Sequence, residues 1–206
     1  MDFRHPVEAV IPGVQGRILG VLSATTAQLS LRTVARLALA SPAQVSRVLA
    51  HLTQVGIVER REAPPSSLFR LAHMHVAAPL ILGLSHSPSR VLREIGTYAA
   101  TMCPAPSSII VFGSVARGEA DIRSDLDAVV VRPVDVPDTE EWGLAVEEWR
   151  SFAAALTGNP VAVLEILEAD LAGKLNSDEP LWSGVVRDGV VVHGPSLESL
   201  RQQVRA

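Results

Sequence analysis

The sequence predicts an α+β protein built from two domains, and three observations lead to this prediction. Helical periodicity dominates the first 75 residues and gives way to a pair of short strands. After residue 89, short β-branched runs alternate with helical segments. Residues 1–75 carry 8 Arg and no Lys against 4 acidic residues, a net charge of +4, whereas residues 76–206 carry 10 Lys and Arg against 18 acidic residues, a net charge of −8. Such asymmetry is typical of a polyanion-binding part joined to a part that holds cations.

Composition narrows the class of protein. Cys103 is the only cysteine, which excludes an intramolecular disulfide framework and is typical of a reducing compartment. Residues 1–12 carry charges where a signal peptide has an apolar core. The longest apolar run, 76–84, is interrupted by Pro79 and is far shorter than the roughly 20 residues of a membrane span. We therefore expect a cytoplasmic protein with no membrane partner.

Two short helices joined by a tight turn are predicted before residue 56. Ser30 is a candidate N-cap for the first helix. For the second helix, Ser41-Pro42 places a capping hydroxyl before a proline at the first helical position, where the missing N–H costs nothing. The second helix has one apolar face and carries Gln44 and Arg47 on the other. This pattern predicts a helix-turn-helix.

A predicted hairpin follows this helix pair. Residues 57–62 and 67–71 have strand character around a Pro-containing turn. A hairpin in this place is a wing, and residues 30–71 resemble winged helix-turn-helix regulators, most clearly in the pattern from Val48 to Arg60. The resemblance covers about a fifth of the chain. The first predicted domain is thus a winged helix-turn-helix.

Duplex DNA is the partner that this resemblance implies. We expect Gln44 and Arg47 at base edges in the major groove. Three further arginines are expected at phosphates: Arg60, Arg61 and Arg70. The alternative is a helical module for dimerisation or protein docking, with solvated arginines. A homodimer is compatible with both interpretations.

Residues 76–88 carry few signals for regular structure, because prolines and serines cluster there. We expect a linker over 76–88, a DNA-binding domain over 1–75 and a second domain over 89–206. An amphipathic helix over about 89–102 is predicted to open the second domain.

Two adjacent strand ends carry the residue types that bind metals and phosphates. An apolar run, 108–112, ends in Gly113-Ser114, and a second apolar run opens with Asp125 and Asp127. Alternation along a strand puts both carboxylates on one face. Such carboxylates repel one another unless a cation neutralises them, and Mg²⁺ prefers oxygen ligands while leaving positions open for phosphates.

The loop between these strands fits the same chemistry. Gly113 has no side chain to keep a phosphate from the backbone amides, and Ser114 adds a hydroxyl donor. Arg117 offers a fork of donors to a triphosphate or to a neighbouring acid. The loop is therefore a candidate phosphate cradle.

The stretch from Phe112 to Asp127 resembles the signature of the polymerase-beta-like nucleotidyltransferase superfamily: an apolar residue, Gly-Ser, ten residues, then Asp-apolar-Asp. Its Ala-Arg-Gly and Ser-Asp-apolar-Asp look most like the minimal nucleotidyltransferases of prokaryotes, many of them antitoxins. The resemblance extends loosely over 89–195. It implies a small mixed-sheet domain and adds Ser124 to the nucleotide-binding residues. The alternative is a loop that carries these residues by coincidence.

The superfamily usually has a third carboxylate on the next strand. Residues 160–167 are predicted as that strand, and Glu165 is its only acid, with Glu168 and Asp170 as fallback candidates. The resemblance implies that Asp125, Asp127 and Glu165 are metal ligands and catalytic residues around two Mg²⁺ ions, and that Glu165 activates an acceptor hydroxyl. An exposed Glu at a strand end would look the same in the sequence.

The sequence as a whole predicts a Mg²⁺-dependent nucleotidyltransferase, coupled to DNA binding, that transfers a nucleoside monophosphate from a triphosphate to a macromolecular acceptor. ATP is the expected triphosphate, and a cognate toxin protein is the expected partner of an antitoxin. Two alternatives stay open: a transcriptional regulator that senses nucleotides without turning them over, and an antitoxin that acts by contact. The position of Glu165 distinguishes the enzyme from the nucleotide sensor, because a misplaced third carboxylate leaves a binding site without its base.

Overall fold

The computed structural model describes residues 1–202, and the chain divides into two compact units. The N-terminal unit comprises Asp2 and Arg4–Ser87. The C-terminal unit comprises Met1, Phe3 and the chain from Pro88 onward. Within residues 1–202, no helix is both long enough and apolar enough to cross a membrane.

The N-terminal unit packs helices against a small antiparallel sheet. Its elements are α1 (Pro6–Val10), α2 (Val14–Ser23), β1 (Leu29–Ser30), α3 (Leu31–Leu37), α4 (Pro42–Gln54), β2 (Val58–Ala63), β3 (Ser66–Leu71) and α5 (Ala78–Ser85). The sheet order is β1-β3-β2. Leu22, Val34, Leu49, Leu52 and Leu71 are fully buried in the core of this unit.

The helix starts follow the predicted capping residues. The Ser30 hydroxyl accepts a hydrogen bond from the Thr33 N–H at the start of α3. At the start of α4, the Ser41 hydroxyl accepts from the Gln44 N–H, and the Gln44 side-chain oxygen accepts from the Ser41 N–H. Each pair satisfies backbone donors that a helix end leaves unpaired.

The structure places a helix where the sequence predicts a linker. Helix α5 lies within 76–88, and its Ala78 and Ile81 are buried in the N-terminal core. Pro79 does not interrupt the helix because it lies in the first turn. A backbone N–H has no partner within the helix there, so the N–H that proline lacks is not missed. The N-terminal unit therefore extends to Ser87 rather than ending at residue 75.

The C-terminal unit is a mixed sheet covered by helices. Its elements are α6 (Ser87–Ala99), β4 (Ser108–Phe112), α7 (Gly113–Ala116), β5 (Leu126–Arg132), α8 (Glu140–Thr157), β6 (Val161–Leu167), α9 (Glu168–Leu175), α10 (Pro180–Asp188), β7 (Val190–His193) and α11 (Leu197–Gln202). The sheet order is β6-β5-β4-β7. Strand β4 runs antiparallel to β5 and β7, whereas β5 and β6 run parallel. The predicted α+β class and mixed sheet are thereby confirmed.

Alternation along β5 assigns its residues to two layers. Leu126, Ala128 and Val130 pack on one face of the sheet, together with Trp142 and Trp149 of α8. Val129 and Val131 pack on the other face, together with residues of α9 and α10. Asp127 shares the second face because it alternates with Ala128. This division decides which acidic residues can meet Asp127.

Candidate functional site

Asp127 lies directly over the turn that joins β4 to α7. It pairs with Phe112 across the antiparallel ladder. Gly113 follows with φ of 71°, and a Cβ at Gly113 would lie 2.7 Å from Asp127 Oδ2. The left-handed backbone and the close carboxylate both require a glycine at this position. The predicted juxtaposition of the Gly-Ser loop with Asp127 is therefore present in the structure.

The turn at Gly113 also provides backbone N–H groups as hydrogen-bond donors. Helix α7 starts at Gly113, and the N–H groups in the first turn of a helix have no partner within it. Ser114 is half-buried and adds a hydroxyl. Successive N–H groups at such a turn form a concavity that binds anions. The loop can thus donate hydrogen bonds to phosphate oxygens.

Asp125 and Asp127 form an electrostatically strained pair. Burial raises the pKa of the Asp127 carboxyl, and the negative charge of Asp125 raises it further. Asp125 is exposed and Asp127 is half-buried, so a solvated cation can reach both. In proteins Mg²⁺ is commonly bound by one or two carboxylates together with substrate phosphates. The two aspartates beside the donor loop fit a Mg²⁺ bound in this way.

This repulsion predicts that Asp127→Asn stabilises the metal-free protein. A raised folded-state pKa means that ionised Asp127 disfavours folding. The cost is absent below the ordinary value of 3.8, grows as the pH rises from 3.8 to the folded-state pKa, and is constant above it. The variant should have a higher thermal unfolding midpoint at neutral pH, and its advantage should shrink as the pH falls toward 3.8. Thermal melts from pH 4 to pH 8 measure this, and a variant less stable than wild type at neutral pH would contradict it.

The loop before Asp125 is held by Asn159, a residue that sequence reasoning does not single out. Asn159 is buried, and its Nδ2 donates to the carbonyl oxygens of Asp121 and Ser124, at 2.9 and 2.8 Å. The Asp121 N–H in turn donates to the Ser124 hydroxyl, at 3.0 Å. Ser124, predicted to bind nucleotide, thus has its hydroxyl engaged within the loop. In the sequence, Gly158-Asn159 carries only the signal of an ordinary turn after a helix.

Arg117, also predicted to bind nucleotide, is paired with acids. Its Nε donates to Glu119 Oε2 and its Nη1 donates to Asp188 Oδ2, both at 2.7 Å. Arg187 and Arg117 together hold the pKa of the Asp188 carboxyl well below its usual range. Of the two partners that the sequence allows for Arg117, the structure shows the neighbouring acid.

Glu165 does not join the two aspartates, which corrects the expected third ligand. In the parallel ladder Asp127 pairs with Ala162, whereas Glu165 pairs with Val130, on the opposite face of the sheet. On that face Trp142 Nε1 donates a hydrogen bond of 2.6 Å to Glu165 Oε2. The position across from Asp127 therefore belongs to Ala162, which has no carboxylate and is exposed.

The fallback candidates do not replace Glu165. Glu168 and Asp170 lie in α9, beyond Leu167, which pairs with Arg132 at the far end of β5. That end is about 16 Å from Asp127 at the usual rise of roughly 3.3 Å per residue. Glu168 Oε2 instead accepts a hydrogen bond from Ser107. Among residues 1–202, no group of three or more His, Cys, Asp or Glu side chains could hold a metal ion.

The residues expected to contact DNA lie on three surfaces of the N-terminal unit. Gln44 and Arg47 are exposed on α4, although the side-chain oxygen of Gln44 is used at the helix cap. Arg60 pairs with Phe69, on the hairpin face that also carries the buried pair of Val58 and Leu71.

Arg61 and Arg70 lie on the other face of the hairpin, since Arg61 follows Arg60 and Arg70 precedes Leu71, and side chains alternate between the faces along a strand. Arg70 forms an ion pair of 2.7 Å with Glu59. The three hairpin arginines therefore do not form one surface, and Arg60 alone shares the face of the buried pair.

Comparisons with known proteins bear on the C-terminal unit. Residues 92–179 match the family model described as "Nucleotidyltransferase domain". This segment includes the Gly-Ser loop, both aspartates and β6. The predicted nucleotidyltransferase resemblance is confirmed at the level of this domain, which covers less than half of the chain. No curated protein matches the chain.

Two solved structures show a more distant likeness. One is described as a toxin-antitoxin with AMP-PNP; it is 20% identical, with 54% of this chain and 82% of that chain covered and a TM-score of 0.38. The other is a mutant of the toxin-antitoxin MntA-HpeT; it is 18% identical, with the same coverage and a TM-score of 0.39. These values are too low to support conclusions about fold or function, so the function of this chain is inferred from its own geometry.

Proposed function

We propose that this chain is a DNA-binding regulator whose nucleotidyltransferase domain binds a Mg²⁺–nucleoside triphosphate without turning it over. One observation carries the proposal. The carboxylate of Asp127 lies against Gly113 and beside Asp125, while Ala162 occupies the position across from it. These positions support a site that keeps its metal- and phosphate-binding groups but has no third carboxylate across from Asp127. ATP is the triphosphate that we expect.

The binding half would work through charge and hydrogen bonding. Asp125 and Asp127 would hold Mg²⁺, and the N–H groups at Gly113 and Ser114 would donate to phosphate oxygens. The bound ion neutralises charge on the triphosphate. Because burial and Asp125 already raise the pKa of Asp127, a cation relieves a repulsion that the free protein carries.

On this proposal, residues 1–202 provide no catalytic base at the site. Nucleotidyl transfer needs a group that accepts the proton of the attacking hydroxyl, within hydrogen-bond reach of it. On the face of Asp127, strand β6 offers Ala162 at that level, and Glu165 is hydrogen bonded to Trp142 on the other face. We infer that a bound triphosphate remains intact and acts as a signal.

Nucleotidyl transfer is the second candidate function, and the family match favours it. It would require a base from outside this chain, for example from a macromolecular acceptor or a cognate toxin protein bound beside Ala162. A partner of that kind would place its own carboxylate near Asp127. The two candidates therefore differ in whether the protein releases pyrophosphate when such a partner is present.

DNA binding is the proposed output of the N-terminal unit. Its helices α3 and α4 and the β2–β3 hairpin follow in the order of a winged helix-turn-helix, and Arg47 lies exposed on α4. A net charge of +4 over residues 1–75 favours a polyanionic partner. We place α4 in the major groove, with Gln44 and Arg47 toward the bases.

The test of DNA binding is the salt dependence of the full chain on a mixed-sequence duplex. Release of counterions should make the logarithm of the binding constant fall linearly with the logarithm of salt concentration. Arg47→Ala should weaken binding by about 10-fold, as expected for a lost base contact of roughly 1–3 kcal/mol. Arg93→Ala, an exposed arginine on α6, is the matched control. Salt-independent binding, or an Arg47 variant equal to the control, would contradict the proposal.

A further inference from the structure

The sheet of the C-terminal unit has two edges that differ in how well they are protected. Strand β7 forms one edge. It is four residues long, its ladder with β4 is irregular between Ile109 and Ile110, and Gly194-Pro195 follows it. Short length, an irregular ladder and a nearby proline each hinder an edge from pairing with another chain. Strand β6 forms the other edge and has none of these features.

Strand β6 is a long and apolar edge. It runs for seven residues, Val161–Leu167, and pairs with β5 in a continuous register. It contains no proline and no basic residue, and its single acid is Glu165. The Glu165 carboxylate accepts a hydrogen bond from Trp142 Nε1, which holds it toward α8 rather than beyond the edge. An edge of this kind is open to pairing with a further strand.

The hydrogen bonds of the ladder decide which backbone groups of β6 face outward. The Leu126 N–H donates to the Pro160 carbonyl oxygen at 2.8 Å, so this carbonyl points toward β5. Backbone groups of successive residues along a strand point to opposite sides. The outward groups therefore belong to the odd-numbered residues: Val161, Val163, Glu165 and Leu167. Within residues 1–202, no backbone group of another segment bonds to them.

This arrangement of outward groups is self-complementary. In an antiparallel pair, two hydrogen-bonded residues must each point their backbone groups toward the other strand. When two copies of β6 run antiparallel about Leu164, Val161 lies opposite Leu167 of the second copy, and Val163 lies opposite Glu165. Every outward residue then meets an outward residue along the whole strand. We propose that two copies of this chain associate through their β6 edges, which joins their four-stranded sheets into one.

The side chains also match across such a pair. Leu164 is 37% exposed and would contact its own copy on the two-fold axis. Ala162 would lie opposite Ile166, a small residue against a large one. Glu165 would lie opposite Val163, so the charge of one strand does not directly face the same charge of the other, an arrangement that would be destabilising. These matches favour a second copy over a strand of another protein as the occupant of this edge.

Sedimentation velocity of the full chain over a concentration series measures this association. Wild-type protein should approach twice the mass of the chain as its concentration rises. Leu164→Lys should raise the dissociation constant by about 10-fold or more, because two like charges would lie directly opposite each other on the axis. Leu181→Lys changes another exposed leucine, on α10, and is the matched control that should dimerise as wild type does. Circular dichroism checks that both variants are folded.

Disulfide cross-linking tests the register. Residues directly opposite in a non-hydrogen-bonded antiparallel pair have Cα atoms about 4.5 Å apart, which is within the reach of a disulfide. In a Cys103→Ser background, Leu164→Cys should therefore form an intermolecular disulfide under mild oxidation. Ala162→Cys, exposed on the same face of β6, should not, because Ile166 of the second copy lies opposite.

Three results would overturn the proposal. Wild-type protein that stays monomeric at every concentration would leave this edge to a strand of a different protein. A dimer that Leu164→Lys leaves as stable as wild type would use another surface. A disulfide in Ala162→Cys but not in Leu164→Cys would contradict the pairing about Leu164. These measurements contain neither nucleotide nor DNA, so they do not depend on the proposed function.

Discussion

A double variant, Asp125→Asn with Asp127→Asn, is expected to lose magnesium-dependent nucleotide binding. Truncating one partner of a close charge pair costs about 2–5 kcal/mol, so the loss of both carboxylates should lower the affinity for Mg²⁺–ATP by about 100-fold or more. The fold should persist, because the change relieves the repulsion that raises the pKa of Asp127. Isothermal titration calorimetry with Mg²⁺–ATP measures the effect.

The control for this variant removes the same charge elsewhere in the C-terminal unit. Asp135 and Asp178 are exposed and lie in the loops that precede α8 and α10, so their double Asn variant should bind Mg²⁺–ATP as wild type does. Wild-type affinity in the Asp125 and Asp127 variant would remove both residues from the site. Equal losses in both double variants would indicate a general charge effect.

Ala162→Asp is expected to create nucleotidyl transfer where wild-type protein has none. The substitution puts a carboxylate on the face of Asp127 and directly across from it, at an exposed position that tolerates the change. A positioned general base contributes typically 10²–10⁴-fold, so label transfer should rise by roughly 100-fold or more. The assay supplies α-³²P- or, separately, γ-³²P-labelled ATP with Mg²⁺ and the total RNA and protein of host cells as acceptors, and it counts acid-insoluble α label and γ-labelled pyrophosphate.

Leu164→Asp is the matched control for Ala162→Asp. Leu164 lies on the same face of β6 but pairs with Val129, two residues farther from the loop. A carboxylate there should give no transfer. If Ala162→Asp binds Mg²⁺–ATP yet remains as inactive as wild type, a missing base does not explain the lack of turnover. Equal gains in both variants would show that position on β6 is irrelevant.

Local pattern is sufficient to predict the binding half of the site. Asp125 and Asp127 share a face because side chains alternate along a strand, and Gly113 lies beside them because β4 and β5 are neighbours in sequence and in the sheet. These relations involve segments that are only about ten residues apart in the chain. Cap residues such as Ser30 and Ser41 are predictable for the same reason.

The position of the third carboxylate is not predictable in this way because it depends on the register between β5 and β6. Alternation correctly groups Glu165 with Val161 and Val163, but it does not say which face of the sheet that group takes. A shift of one residue between β5 and β6 would exchange the faces, so the register places Ala162 rather than Glu165 opposite Asp127.

Two other contacts that the sequence does not predict join residues far apart in the chain. Arg117 meets Asp188 across 71 residues of chain, and Asn159 reaches back 35 residues to Ser124. Neither contact has a signature in the sequence. Helix α5 escapes prediction for a different reason, because Pro79 has the character of a helix breaker although it lies in the first helical turn.

The central claim is that the C-terminal unit holds Mg²⁺–nucleoside triphosphate and leaves it intact. One preparation of wild-type protein, incubated with Mg²⁺, the total RNA and protein of host cells as acceptors, and either α-³²P- or γ-³²P-labelled ATP, tests it when bound label, released pyrophosphate and acid-insoluble label are counted together. The claim predicts saturable, Mg²⁺-dependent retention of both labels as intact ATP, with pyrophosphate and acid-insoluble label at the level of the Asp125 and Asp127 double variant. Wild-type protein that releases pyrophosphate and transfers the α label, or that retains neither label, would contradict it.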